Sequence, residues 1–280
     1  MTQSLNGGSS SAPRQTVSIE RRQIFVMGGH EFSRRTGNEA LHDYMLGLAD
    51  RERPRVCLLP TASGDPSEQI SAFARSLGEL PCEPSHLSLF RLETERVSVR
   101  EHLLRQDVIY VGGGSLLNLI AIWRTHGIDR ILRQAWERGI VLCGQSAGAM
   151  CWFQFGITRS AGIATARRGL GILPGSLCVH YRRDAERRGA FREAVAFGIP
   201  AGYGIDDQAG LLFRGTELAE AVSARPGAGA TRVEPTDGAR SREVALETTA
   251  LSDPRRAIDE PVAELAELRR TRAARIARAP

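Results

Sequence analysis

The chain contains no lysine: all 37 of its basic residues are arginine, a usage read here as genome composition rather than function. Without lysine no Walker-type phosphate loop can be completed. Long apolar runs are missing too. No window approaches the roughly 20 continuous apolar residues of a membrane-spanning helix. The first twenty residues, rich in Ser, Gly and Gln, hold no apolar stretch suited to a secretory signal and read as a disordered leader over 1–22. The five cysteines (Cys57, Cys82, Cys143, Cys151, Cys178) are odd in number and sit mostly in apolar segments, without a C-x-x-C pair or His/Cys ligand spacing. Reduced core thiols in a cytoplasmic protein, with no metal or other cofactor, are the expectation. The net charge of +5 resides at the two ends, residues 1–22 and 254–280, and the body between them is neutral, so neither nucleic acid nor a membrane is an expected partner.

One further absence bears on chemistry, and it lies between two residues that stand out. In Ile140-Val141-Leu142-Cys143-Gly144-Gln145-Ser146-Ala147-Gly148-Ala149-Met150 a short apolar strand breaks at glycines and a small-residue helix begins. This is the G-x-S-x-G pattern of a nucleophile elbow, in which the flanking glycines let the chain reverse and leave the hydroxyl at the sheet edge. A serine nucleophile needs a histidine to take its proton and a carboxylate to orient that histidine. Of six histidines only His180 follows the serine, after a glycine turn and a short apolar strand that would deliver it to the C-terminal edge of a sheet. Between Ser146 and His180 there is no Asp and no Glu. The Ser, acid, His order of α/β-hydrolases is thereby excluded. Downstream, Gly202-Tyr203-Gly204-Ile205-Asp206-Asp207-Gln208 places two carboxylates at a strand end. Asp207 is the first choice to orient His180, Asp206 the second, and a plain turn between strands is the competing reading.

A third segment, Val108-Ile109-Tyr110-Val111-Gly112-Gly113-Gly114-Ser115-Leu116, runs a β-rich strand into three glycines and a helix. Bare N–H groups at such a turn can face an anion. In a hydrolase they would stabilise the oxyanion, from Gly113 or Gly114, together with the N–H of Ala147. The later glycine of a dinucleotide fingerprint is lacking.

Strands are expected over 24–27, 56–60, 86–89, 108–111 and 140–143, alternating with helices over 38–48, 67–77, near Glu101, 116–125 and 129–137. That order implies a doubly wound, mostly parallel α/β sheet with its site at the C-terminal strand ends. Strands over 209–213, 217–223 and 231–233 are expected to form an antiparallel edge of one domain spanning 23–253. Val262, Leu265, Leu268 and Ile276 give 254–280 the spacing of a basic amphipathic helical tail.

Together YVGGGSLLNLIAIWR, LCGQSAGAMCWF, GLGILPGSLCVHY and GIDDQAGLLF resemble the peptidase E and cyanophycinase family of serine peptidases, from about Ile24 to about Leu251. The resemblance implies a flavodoxin-like, class I glutamine amidotransferase-like fold with serine at the elbow in place of cysteine. It also implies hydrolysis of a short peptide or isopeptide near an acidic residue. The aspartyl dipeptidase branch has its acid shortly after the nucleophile, where this chain has Thr158, Arg159, Ser160 and Ala161. The cyanophycinase branch is similar at Gly204-Ile205-Asp206-Asp207 but carries glutamate at the position of Asp207. Arginine forks recognise carboxylates at two points, so Arg182 and Arg183, directly after His180, are candidate substrate contacts. Ser115, where the family often has Asn, is another. Arg187, Arg188 and Arg192 read as a solvated helix face. A glutamine amidotransferase would need cysteine at 146 and a His-x-Glu in place of His180-Tyr181-Arg182. A catalytically silent binding module on the same fold and a cyanophycinase-like hydrolase of β-aspartyl-arginine are the remaining alternatives, and subunit count is left open, a homo-oligomer included.

Overall fold

The computed structural model describes residues 17–29, 39–92 and 98–252. Four strands built almost wholly of Ile, Val, Leu, Phe, Tyr, Met and Cys make the centre of an eight-stranded sheet: β1 (Gln23–Met27), β2 (Arg55–Leu59), β4 (Val108–Val111) and β5 (Val141–Gln145). Their near-continuous burial is the mark of parallel strands covered on both faces. With the edge strand β3 (Glu83–His86) they run parallel in the order β1-β5-β4-β2-β3. Beyond β1 the sheet changes sense: β10 (Ala209–Arg214) pairs antiparallel to β1, β11 (Glu217–Ser223) antiparallel to β10, and β14 (Thr249–Ala250) closes that edge. The sheet is thus mostly parallel with an antiparallel edge.

Side-chain alternation splits the core. Phe25, Met27, Tyr110 and Cys143 face one way, toward Leu41 and Met45 of α1 (Glu39–Gly47) and Phe73 and Leu77 of α2 (Ser67–Leu77). Ile24, Val26, Ile109 and Leu142 face the other way, toward α3 (Val99–Leu104), α4 (Leu116–His126) and α5 (Ile128–Glu137) through Leu103, Leu119, Trp123, Leu132 and Trp136. At about 25 cal/mol per Å² such burial is the main stabilising contribution of the fold.

A second, six-stranded sheet follows the elbow. It comprises β6 (Phe153–Thr158), β7 (Thr165–Arg168), β8 (Leu173–Val179), β9 (Gly202–Ile205), β12 (Ala230–Thr236) and β13 (Arg240–Ala245), in the order β13-β12-β9-β8-β6-β7. Phe153, Leu173, Leu177, Val179 and Ile205 join the same core as Ile24 and Leu142. The other face packs Ile157, Cys178 and Val233 against Phe191 and Val195 of a helix at Ala185–Ala196.

Three expectations need correction. The strand expected over 86–89 is β3, three residues earlier: Leu87 and Leu89 are buried, but they lie beyond it, Leu87 in the connection and Leu89 at the start of a short 3-10 turn. An edge strand has one partner ladder and needs little apolar content, so hydropathy drew the reading toward the loop. The strand at 231–233 belongs to β12 in the second sheet, because Ala230 to Val233 pair with Ile205 to Gly202 of β9 instead of extending the first sheet's edge. Part of the leader is ordered: Ile19–Arg21 form a short 3-10 turn, Arg22 stacks 5.7 Å from the centre of the Trp136 ring, and its carbonyl accepts from Gly215 N–H at 2.7 Å. The tail expected over 254–280 lies outside the described residues.

Candidate active site

The sharp turn between β5 and the short helix α6 (Ala147–Met150) puts Ser146 at φ 52° and ψ −114°. A non-glycine residue holds so sparsely populated a conformation only where its surroundings over-determine it. Here they do. A Cβ on Gly144 would come 2.1 Å from the Gly148 carbonyl oxygen, and one on Gly148 would come 2.2 Å from that of Val111. Ser146 N–H donates to Met27 O at 3.2 Å, and the first bonds of α6 run from Ala149 and Met150 N–H to Ser146 O. The Ala147 N–H precedes those bonds, among the amides a helix start leaves without an internal partner.

The second sheet supplies the other two groups. His180 follows β8 at φ 57°, and its Nε2 lies 3.2 Å from Ser146 Oγ. Its Nδ1 lies 2.5 Å from Asp207 Oδ1, just beyond β9. A carboxylate only accepts, so the proton belongs on Nδ1 and Nε2 is free to accept from the serine hydroxyl. Arg183 holds the other oxygen of Asp207 at 3.0 Å. Burial pushes the Asp207 carboxyl up, but the hydrogen bond and charge of His180, with Arg183 and Arg225, outweigh it and leave it below the usual carboxylate range.

Asp206 points elsewhere. It accepts from the backbone N–H groups of Arg182 and Gly229, each at 3.1 Å, and its Oδ2 pairs with Arg182 Nε at 3.1 Å. It therefore fastens the turn after His180 to the segment before β12. Arg182 also donates to the carbonyl of Gly227. Two further arginines after His180 are held internally as well: Arg187 pairs with Asp184, and Arg188 makes a two-point contact with Glu243.

The glycine loop after β4 is divided by function. Gly112 N–H donates to Leu59 O at 3.1 Å and Ser115 N–H to Ala62 O at 2.7 Å, while the Ser115 hydroxyl accepts from Asn118 N–H as the cap of α4. Gly114, at φ 144°, packs against the Ala62 carbonyl. Gly113 is the one that faces Ser146: a Cβ there would stand 3.3 Å from the Cβ of that serine. Of the expected substrate contacts, Ser115 is thus placed as a helix cap and Arg182 in the Asp206 clamp, whereas Arg183 sits beside Asp207 with 74% of its side chain exposed.

Gly29 escaped the sequence reading. It bridges to Asp207, its carbonyl accepts from Gln208 N–H at 2.9 Å, and a Cβ on it would come 2.1 Å from Asp207 Oδ1 and 2.6 Å from the His180 ring. A glycine pair directly after the apolar run of β1 was the available signal. Gln145, the buried last residue of β5 beside Ser146, carries no local signal in the sequence that marks it as a site residue. Among the described residues no group of three His, Cys, Asp or Glu side chains could hold a metal ion, and no helix is long and apolar enough to cross a membrane.

The sequence model of Peptidase family S51 matches residues 24–221. The chain is 45% identical over 213 residues to the uncharacterised peptidase YgaJ of Bacillus subtilis (strain 168), a match covering 76% of this chain and 92% of that relative. Among solved structures, a peptidase from an acI-B1 actinobacterium superposes with a TM-score of 0.57 at 18% identity, over 81% of this chain and 94% of the other. A candidate peptidase E protein from Listeria monocytogenes EGD-e gives 0.51 at 18% identity, over 70% and 96%. At that identity the two structures speak for the fold alone.

Proposed function

The chain belongs to peptidase family S51 and is a serine peptidase, and from that premise we propose that Ser146, His180 and Asp207 are its catalytic triad. One observation carries the reading: an unbroken line of contacts from Ser146 Oγ through both nitrogens of His180 to Asp207, at 3.2 Å and 2.5 Å.

In this mechanism Ser146 Oγ attacks the scissile carbonyl carbon while its proton passes to His180 Nε2. The carbonyl oxygen becomes an oxyanion facing Gly113 N–H and Ala147 N–H; Gly114 shapes the loop. Collapse re-forms the carbonyl, breaks the C–N bond, and moves the proton from Nε2 to the departing amine. Water then repeats the sequence on the acyl-enzyme, its proton going to Nε2 and on to Ser146 Oγ. Asp207 holds the imidazole in the tautomer this needs and offsets the charge it gains.

The substrates we propose are short peptides or isopeptides cut next to an acidic residue, as in a dipeptidase E-like enzyme. Support comes from the exposed guanidinium of Arg183 beside the triad, a two-point partner for a substrate carboxylate. Because the acid contacting His180 is Asp207 rather than a residue near Thr158, a β-aspartyl-arginine link is the second substrate class worth testing. The test combines fluorophosphonate labelling of Ser146 with a panel of dipeptides bearing Asp, Glu or neutral first residues, plus β-aspartyl-arginine. Wild type should be labelled and cut acidic substrates, and Ser146→Ala should do neither. A chain that is neither labelled nor active on any of them would be a silent binding module on this fold.

A further inference from the structure

Gln145 stands immediately before the nucleophile, at the last position of β5, and is 91% buried. Its Oε1 is enclosed and meets no hydrogen-bond donor. An enclosed amide oxygen without a donor costs free energy that a methionine of the same length would not, and groups of that kind in folded proteins call for a reason. The other end of the amide supplies one. A point placed where a Cβ of Gly113 would stand lies 3.8 Å from Gln145 Nε2 and 3.3 Å from Ser146 Cβ. The N–H₂ group therefore borders the same small space as the nucleophile and the glycine that faces it.

The neighbouring strands fix it there. Gln145 pairs with Met27 of β1, and Ser146 N–H donates to Met27 O at 3.2 Å, so the backbone that carries the amide is tied on the side away from the glycine loop. On the other side β4 aligns Val111 with Gly144 and leads directly into Gly112 and Gly113. An amide held by the sheet rather than by a loop costs no reorganisation when charge develops, and that is the property a transition-state donor requires.

We propose that the side-chain amide of Gln145 is a third hydrogen-bond donor to the oxyanion, acting with Gly113 N–H and Ala147 N–H, so that Gln145 is a catalytic residue; this rests on Ser146 being the nucleophile. The amide donates and no bond forms or breaks at it. Its role is to meet the negative charge that the substrate oxygen gains when Ser146 Oγ adds to the carbonyl carbon and His180 takes the proton.

The test uses the full-length protein and whichever member of the dipeptide panel wild type cuts fastest. Gln145→Met keeps the length of the side chain and removes the donor. It should lower kcat by roughly 10²- to 10³-fold with KM changed less than about threefold, the range seen when one oxyanion donor is deleted. Its melting temperature should match or exceed that of wild type, because the unmatched oxygen is gone. Gln145→Glu keeps the shape and an acceptor but offers no donor when ionised, and should lose kcat to at least the same degree. The second-order rate of fluorophosphonate labelling, which places a phosphoryl oxygen in the same space, should fall in both variants. Gln145→Met with kcat within threefold of wild type, or a loss confined to KM, would overturn the proposal, as would a Gln145→Glu enzyme that keeps its turnover. Ser146→Ala separates the two readings. If it retains activity the serine assignment itself fails, whereas an inactive Ser146→Ala beside an active Gln145→Met removes only the role of Gln145.

Discussion

The two sheets divide the site between them, and they are built differently. The eight-stranded sheet carries Ser146 and the glycine loop on parallel strands buried on both faces, with helices α1 and α2 on one side and α3 to α5 on the other. The six-stranded sheet carries His180 and Asp207 beyond the parallel pair β8 and β9, and its outer strands are polar and largely exposed, as in β13. Ser146 is fixed by backbone: a strand, two glycines and a strained turn. His180 and Asp207 are fixed by side chains and by a stitch between the sheets, where Gly29, just beyond β1, bridges to Asp207. The serine position should therefore tolerate surface change well, while the imidazole and carboxylate depend on contacts that single substitutions can remove.

The largest effect should come from removing a reacting group. Ser146→Ala or His180→Ala should cut kcat by about 10⁴-fold or more with almost no change in melting temperature, read by steady-state kinetics and calorimetry on the same samples. Next are the paired aspartates. Asp207→Asn should lower kcat by about 10³- to 10⁴-fold, since an amide facing Nδ1 no longer selects the tautomer. Asp206→Asn should instead act on stability, lowering the melting temperature by several degrees through the weakened Arg182 and Gly229 contacts while kcat falls less than about tenfold. A reversal of that pattern would move the triad acid to Asp206.

The stitch between the sheets comes third. Gly29→Ala places a methyl group where Asp207 Oδ1 and the His180 ring now lie, and a shift of about 1 Å in either should lower kcat by about 10²-fold. An unchanged rate would mean that the sheets give way without disturbing the triad. The smallest effect belongs to the six-stranded sheet alone. Hydrogen bonding from Arg188 lowers the Glu243 carboxyl to about 2, burial opposing and Tyr181 assisting. A carboxyl lowered on folding stabilises above its unfolded value near 4.3 and loses that contribution as pH falls toward about 2. Arg188 is half exposed, so screening leaves on the order of 1 kcal/mol, or roughly 2–4 °C in melting temperature. Glu243→Gln should melt lower than wild type by that amount at pH 7 and equal to it near pH 2, with kcat at pH 7 unchanged.

Legibility in the sequence follows the same division. The helix at Ser67–Leu77 and the strand at Val108–Val111 were read to the residue, and the elbow was plain, because periodicity, apolar runs and glycine punctuation act over a few residues. The second sheet was not foreseen. Its members β6 and β7 interleave polar and apolar residues without strong turn signals, and which strands pair is a long-range matter that local pattern does not encode. The arginines after His180 show the same limit. The sequence offered Arg182 and Arg183 alike as carboxylate ligands, yet Arg182 is taken up by Asp206 and Gly227, whereas Arg183 stands exposed beside Asp207.

By itself the sequence determined the order of elements, the strand and turn that carry Ser146, and, through the absence of any acid between Ser146 and His180, that a carboxylate orienting His180 in the proposed triad has to come from outside that interval. Only the tertiary structure decided which partners Asp206 and Asp207 face: they are adjacent in the chain, yet one meets the backbone of the neighbouring turn and the other an imidazole. The physical reason is distance along the chain. Local sterics and hydrophobic periodicity set each strand and turn, whereas the direction of a carboxylate is set by which strands pack beside it, and here those strands come from two different sheets.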